Sequence, residues 1–228
     1  MGKNDNGNNG RTELVFVVDR SGSMGGLESD AIGGFNSMLS KQRTIAGECR
    51  VTTLLFDHRI ETLHNHLDIR EVNDLTSRDY WVRGSTALLD AIGLAIDRMI
   101  VTQRHTAAAY RAQHVLFVII TDGYENASRR YSLHQIKQMI TYERERYHWE
   151  FVFLGANIDA EQTAGDFGIS PRCATDFHAD GQGIKASFKA VACAATAVRG
   201  GADLDDLNAP DFLGGVRDDY RSRRRMKR

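Results

Sequence analysis

Asp19, Ser21 and Ser23 alternate two apart in the stretch Asp19-Arg20-Ser21-Gly22-Ser23-Met24, so an extended turn there aims three oxygens at one point. Carboxylate and hydroxyl oxygens, together with water, are the ligands of hard cations such as Mg²⁺ and Mn²⁺, with Ca²⁺ also accommodated. No His or Cys stands in the loop to draw a softer metal. Gly22, Gly25 and Gly26 let the backbone turn tightly without a Cβ penalty. Two further polar loops, Gly84-Ser85-Thr86 and Thr121-Asp122-Gly123, carry residues of the same kind. Helix capping is the competing reading, because Ser, Thr and Asp side chains accept from the free N–H groups of a first helical turn.

The elements that must position these loops are legible from hydrophobic period. The apolar run 14–18 predicts a strand buried on both faces of a parallel sheet and ending at Asp19. Ala31, Phe35, Met38 and Leu39 recur at helical spacing, and the pattern ends before Gly47. Runs 51–56 and 60–67 are separated by Asp57-His58-Arg59, long enough for a hairpin and too short for a crossover helix, so one strand is antiparallel. After the irregular stretch 68–84, Leu88, Leu89, Ile92, Ala95, Ile96 and Met99 form a helical stripe that opens just past Thr86. Residues 114–121 read as the central strand, stopping at Asp122. Then follow a helix marked by Leu133, Ile136 and Ile140, a strand over 150–154, a short strand over 173–177, and an amphipathic helix marked by Ile184, Phe188, Val191, Ala192, Ala195 and Val198.

Strands alternating with helices predict an α/β fold with a doubly wound, mostly parallel sheet, one antiparallel edge strand and helices on both faces. Residues 1–11 read as a flexible N-terminus, 12–200 as one domain, and 201–228 as a tail that is basic at its end and solvated. In such sheets ligands bind beyond the carboxyl ends of the strands, where the winding reverses. All three polar loops stand at such ends.

The set Asp19-Arg-Ser-Gly-Ser-Met24, Gly84-Ser-Thr86-Ala-Leu-Leu-Asp-Ala91 and Thr121-Asp122-Gly123 resembles, in order, the metal-ion-dependent adhesion site of von Willebrand factor type A domains. The resemblance covers about residues 12–200. It implies the family's Rossmann-like fold, a divalent ion of the Mg²⁺ kind touched directly by Ser21, Ser23 and Thr86, and Asp19 and Asp122 acting directly or through water. It also implies an open coordination position for an Asp or Glu of a protein partner, in a protein of the bacterial intracellular kind that acts as an adaptor. Asp90, one helical turn after Thr86, supports the site from behind or is a surface carboxylate.

A phosphoryl-transfer enzyme using Asp19 as nucleophile is the alternative. The position two residues on, where a general acid belongs in such phosphatases, is Ser21, and neither a P-loop nor a G-x-S-x-G elbow is present. No catalytic constellation is expected. Basic and acidic side chains number 29 and 30, a balance that gathers neither nucleic acid nor anionic membrane. The three cysteines are widely spaced without a C-x-x-C pair, and residues 1–10 hold no apolar stretch, so a reducing cytoplasm is expected. Gly2 lacks the hydroxyl of a myristoylation signal, since Asn6 stands in its place. His64 and His66 are two ligands without a third, Asp57-His58-Arg59 is expected to be hairpin chemistry, and Tyr80 and Trp81 are expected to pack.

Overall fold

Every residue of β1 (Thr12–Asp19) is buried, because strands flank it on both edges and helices cover both faces. It runs parallel to β2 (Cys49–Phe56), with Asp19 opposite Phe56, and parallel to β4 (His114–Thr121), with Val18 opposite Ile120. β3 (Ile60–Asp68) returns antiparallel along β2, while β5 (Glu150–Gly155) and the short β6 (Ala174–Asp176) extend the sheet in parallel beyond β4. The order is β3-β2-β1-β4-β5-β6. From β1 the chain winds outward to β3, crosses back through α2 (Leu88–His105) to β4, and winds outward the other way. The reversal falls between β1 and β4. The structure, a computed structural model, describes residues 10–226.

α1 (Glu28–Arg43) and α5 (Gly181–Arg199) cover one face and approach closely. A Cβ at Gly34 would stand 2.3 Å from a ring carbon of Phe188. The two helices are also stitched by polar groups. The Gln42 amide donates to the Ala192 carbonyl at 2.9 Å, and buried Arg199 donates to the Gln42 carbonyl at 2.6 Å. α2 and α3 (Leu133–Tyr147) lie on the opposite face, bridged by the Tyr131 hydroxyl donating to Asp97 at 2.5 Å. α4 (Ala160–Asp166) has no counterpart among the helices predicted from the sequence. It is only seven residues long and buries just Ala160 and Ala164, too little for a periodic signal.

The stretch expected to be a solvated tail contains a docked helix, α6 (Gly214–Met226), packed on α5 and β6. Leu213 and Val216 are buried, Arg217 donates to the carbonyls of Pro171, Arg172 and Ala174 at 2.9–3.1 Å, and Arg223 pairs with Asp180 and Asp219. Arg217 and Arg223 thus serve the fold, and the helix shields the edge strand β6. Of the N-terminus expected to be flexible, residues 1–9 lie outside the described residues, and Arg11 is held by Glu48 at 2.5 Å and by the Ala109 carbonyl at 2.6 Å.

Candidate metal centre

The three loops meet at the carboxyl end of the sheet, at the reversal between β1 and β4. Asp19, fully buried at the end of β1, accepts on Oδ1 from the Ser21 amide at 2.6 Å, and on Oδ2 from the Thr121 hydroxyl at 2.7 Å and the Asp122 amide at 3.4 Å. One carboxylate thereby fastens the first loop to the third. Ser21 Oγ and Ser23 Oγ stand 3.1 Å apart, Ser23 lying in a 3₁₀ turn that spans Gly22–Met24. The Gly22 amide donates to the Gly84 carbonyl at 3.2 Å and so draws in the second loop. A Cβ at Gly123 would lie 3.5 Å from Ser23 Oγ and 3.7 Å from Thr86 Oγ1, which places both hydroxyls around that glycine.

Asp122 is the decisive member. Its Oδ1 accepts from the Asn157 amide, while Oδ2 is buried with no hydrogen-bond partner among the described residues. Burial pushes its carboxyl up to about 6, and the neighbouring Asp19 pushes the same way, against the Asn157 hydrogen bond. Asp19 is likewise raised by burial, although hydrogen bonds from Thr121 and Ser21 oppose the rise. An orphaned carboxylate oxygen in a desolvated site is costly. A hard cation would relieve both, and an oxygen-only donor set of this size fits one. Among the described residues no three His, Cys, Asp or Glu side chains are grouped as a metal site, so any ion here must be held largely by hydroxyls.

Helix capping does not account for these residues. The N-cap positions of α1 and α2 are Leu27 and Ala87, neither of which makes a side-chain cap, and Ser21 makes none to the 3₁₀ turn. Thr86 exchanges two bonds with Asn126, its amide donating to Oδ1 at 2.9 Å and its carbonyl accepting from the Asn126 amide at 3.0 Å. Its hydroxyl takes no part in either bond. Asp90 is not a surface carboxylate. It is 8% exposed and accepts from the amides of Arg129, Arg130 and Tyr131 at 2.8–3.0 Å, which anchors the segment leading away from Asp122.

Beneath the loops lies a charge network that sequence reasoning missed. Arg20 is fully buried, donating through Nε to Asp57 at 3.1 Å and through Nη2 to Glu61 at 2.6 Å. The same Asp57 carboxylate accepts from Arg83 Nε at 2.8 Å and from the Arg59 amide at 2.8 Å, and its carbonyl accepts from the Ala87 amide at 2.9 Å. Burial alone would raise the Asp57 pKa. The Arg83 and Arg59 hydrogen bonds and the charges of Arg83 and Arg20 outweigh it and lower the value. Hairpin chemistry is therefore only the Arg59 part of what Asp57 does. Its larger role is to clamp the Ser21 loop, through Arg20, to the Thr86 loop, through Arg83 and Ala87. A large cationic residue inside a loop of small ones was the available signal.

Tyr80 is buried and donates to the Asp19 carbonyl at 2.5 Å, whereas Trp81 is 43% exposed on the rim, with the Arg83 guanidinium 4.3 Å from its ring centroid. Packing thus holds for Tyr80 and not for Trp81. Gly84 sits at φ +67°, in the left-handed region. His64 contacts the Thr53 hydroxyl at 3.1 Å and His66 lies 2.8 Å from Glu13, so each is engaged elsewhere.

No family model matches the chain, and no curated protein does. Solved structures match it in fold. The proximal thread matrix protein 1 of the mussel byssus, with a zinc-occupied MIDAS motif, has a TM-score of 0.58 and 15% identity over 82% of this chain and 46% of that one. The manganese-loaded TRAP protein of Plasmodium vivax has a TM-score of 0.57 and 18% identity over 79% of this chain and 73% of that one. The vWF domain of the type V pili tip protein Mfa5 from Porphyromonas gingivalis has a TM-score of 0.55 and 13% identity over 82% of this chain and 95% of that one. This chain therefore spans about half the length of the byssus protein and nearly all of the Mfa5 domain. The chain has a von Willebrand factor type A-like α/β fold, a mostly parallel six-stranded sheet with one antiparallel edge strand and helices around it.

Proposed function

We propose that this chain is a divalent-metal-dependent protein-binding module, an adaptor of the bacterial intracellular kind. The observation that carries the proposal is the buried, unpartnered Oδ2 of Asp122 at the pole where the hydroxyls of Ser21, Ser23 and Thr86 gather. Those four residues would hold Mg²⁺ or Mn²⁺, with Asp19 acting directly or through water. When bound, such an ion supplies a positive charge that prefers an anionic oxygen donor, the chemistry of an Asp or Glu side chain on a partner. Metal in the byssus protein and in TRAP supports a divalent ion here. Trp81 and Arg83 on the rim supply the aromatic and guanidinium surface that protein interfaces favour. We place the module in the cytoplasm on its odd, widely spaced cysteines, of which Cys49 and Cys173 are buried thiols. Among the described residues no helix is long and apolar enough to cross a membrane.

Phosphoryl transfer by Asp19 does not suit this geometry. Both carboxylate oxygens are committed to the Ser21, Thr121 and Asp122 donors, and the residue has no exposed surface through which to meet a phosphate. The test is calorimetric titration with Mn²⁺, followed by capture of proteins from the native cell in Mg²⁺ and in EDTA. Metal binding that Ser21→Ala and Asp122→Ala abolish, and captured protein released by EDTA, are the expected results. Absence of metal binding, or capture indifferent to EDTA, would overturn the proposal.

A further inference from the structure

The opposite end of the sheet holds a cavity of about 170 Å³ that the metal-centred function does not use. It opens between the last turns of α2 and α3, beside the amino ends of β4 and β5. The metal loops lie at the carboxyl ends of the parallel strands, so the length of β4 separates the two, roughly 25 Å at 3.3 Å per residue. Ile100 and Trp149 supply apolar wall, and Trp149, 6% exposed, is fixed by stacking on Phe117 at 5.5 Å between centroids.

Glu143 faces this cavity. It is 4% exposed, yet its carboxylate makes no hydrogen bond or ion pair among the described residues, and burial raises its pKa against the opposing charge of Arg104. A carboxylate largely withdrawn from water, open only toward the cavity and left without a donor, is costly, and such a group calls for a partner. At the mouth stand Arg104 and Arg111. Arg111 donates through Nε to the Thr106 carbonyl at 3.0 Å, which plants its guanidinium there, and among the described residues neither its terminal nitrogens nor Arg104 has a hydrogen-bond partner. A cavity of this size takes an apolar body comparable to benzene.

A buried acceptor for a cation, an apolar chamber and two free guanidiniums at the rim together describe one ligand class. We propose that this cavity binds a zwitterionic α-amino acid with an apolar side chain, its ammonium on Glu143, its side chain against Ile100 and Trp149, and its carboxylate on Arg104 and Arg111. No bond is made or broken.

The test is titration of the full chain with leucine, with isopentylamine, which keeps the ammonium and loses the carboxylate, and with 4-methylpentanoate, which keeps the carboxylate and loses the ammonium. Binding is read by nuclear magnetic resonance shifts of the Trp149 indole and repeated in EDTA. Leucine should bind most tightly, isopentylamine more weakly and 4-methylpentanoate not measurably. Glu143→Gln should weaken leucine and isopentylamine roughly tenfold or more, the scale of a lost charge-assisted hydrogen bond. The surface pair Arg104→Ala and Arg111→Ala, which leaves the core untouched, should weaken leucine alone. No shift with leucine or isopentylamine, or shifts unaltered by Glu143→Gln in a protein of unchanged melting temperature, would overturn the proposal. Binding unchanged by EDTA separates this site from the metal centre, so either can fail without the other.

Discussion

Replacing Asp57 by Ala removes the acceptor shared by Arg20 and Arg83 and leaves the fully buried Arg20 guanidinium with Glu61 alone. Removing one partner of a buried ion pair costs about 3–5 kcal/mol, because the remaining charge stays desolvated. Glu61, whose side chain is 57% exposed, still accepts from Nη2 at 2.6 Å, so the lower end, about 3 kcal/mol, is expected. For a domain of this length each kcal/mol moves Tm by about 2–4 °C, which gives a fall of about 6–12 °C. The clamp also sets the distance between the Ser21 and Thr86 loops, so divalent-metal affinity should fall about tenfold or more, as for other residues that orient ligands from behind. Glu61→Gln is the control. It touches only the solvent side of Arg20 and should cost less than about 1 kcal/mol with metal affinity nearly kept. The assay is thermal melting in EDTA together with calorimetric titration of Mn²⁺. A Tm for Asp57→Ala within 2–3 °C of the parent would refute the buried-charge reasoning. A large fall in Tm with unchanged metal affinity would show that Asp57 supports the fold without shaping the site.

Asp122, raised to about 6 in the metal-free protein, favours folding below the ordinary carboxylate range, and that contribution is lost as pH rises through about 6. Melting in EDTA should therefore weaken from pH 4 to pH 6, Mg²⁺ should restore stability above pH 6 and do little at pH 5, and Asp122→Asn should flatten both responses in scanning fluorimetry. Thr86→Ala keeps both bonds to Asn126, so circular dichroism should show a native fold with stability within about 0.5 kcal/mol, while metal affinity drops in calorimetry. Gly84→Ala forces a β-carbon into the left-handed region at φ +67° and to 2.1 Å from the His58 ring, which must move, at a cost of at least about 1–2 kcal/mol, read in urea melts as a lower midpoint at constant slope. Asp90→Ala strips the acceptor from three backbone amides of the 129–131 segment, and hydrogen exchange there should accelerate while the β1 amides stay protected.

What the chain determined by itself is local and periodic. The buried apolar runs ending at Asp19 and Thr121, the short turn at Asp57-His58-Arg59 that forces β3 antiparallel, and the stripe that opens past Thr86 follow from side-chain period and turn length, and they bring the three polar loops to one end of the sheet. Loop composition then pointed to hard-cation chemistry, since small oxygens two apart need no distant partner to be recognised. Tertiary structure decided everything that depends on a second residue far along the chain. Arg20 meets Asp57 across 37 positions, and Asn157 meets Asp122 across 35. Asp90 finds its three amides 39–41 residues on, and Arg217 of α6 finds carbonyls around β6. A charged side chain reads as solvated until its partner is known, because burial and pairing of a charge are set by where the backbone returns, which no local pattern records. The same reason hid Glu143, whose helix looks ordinary in sequence and whose missing partner becomes visible only once α2, α3 and Trp149 close around it.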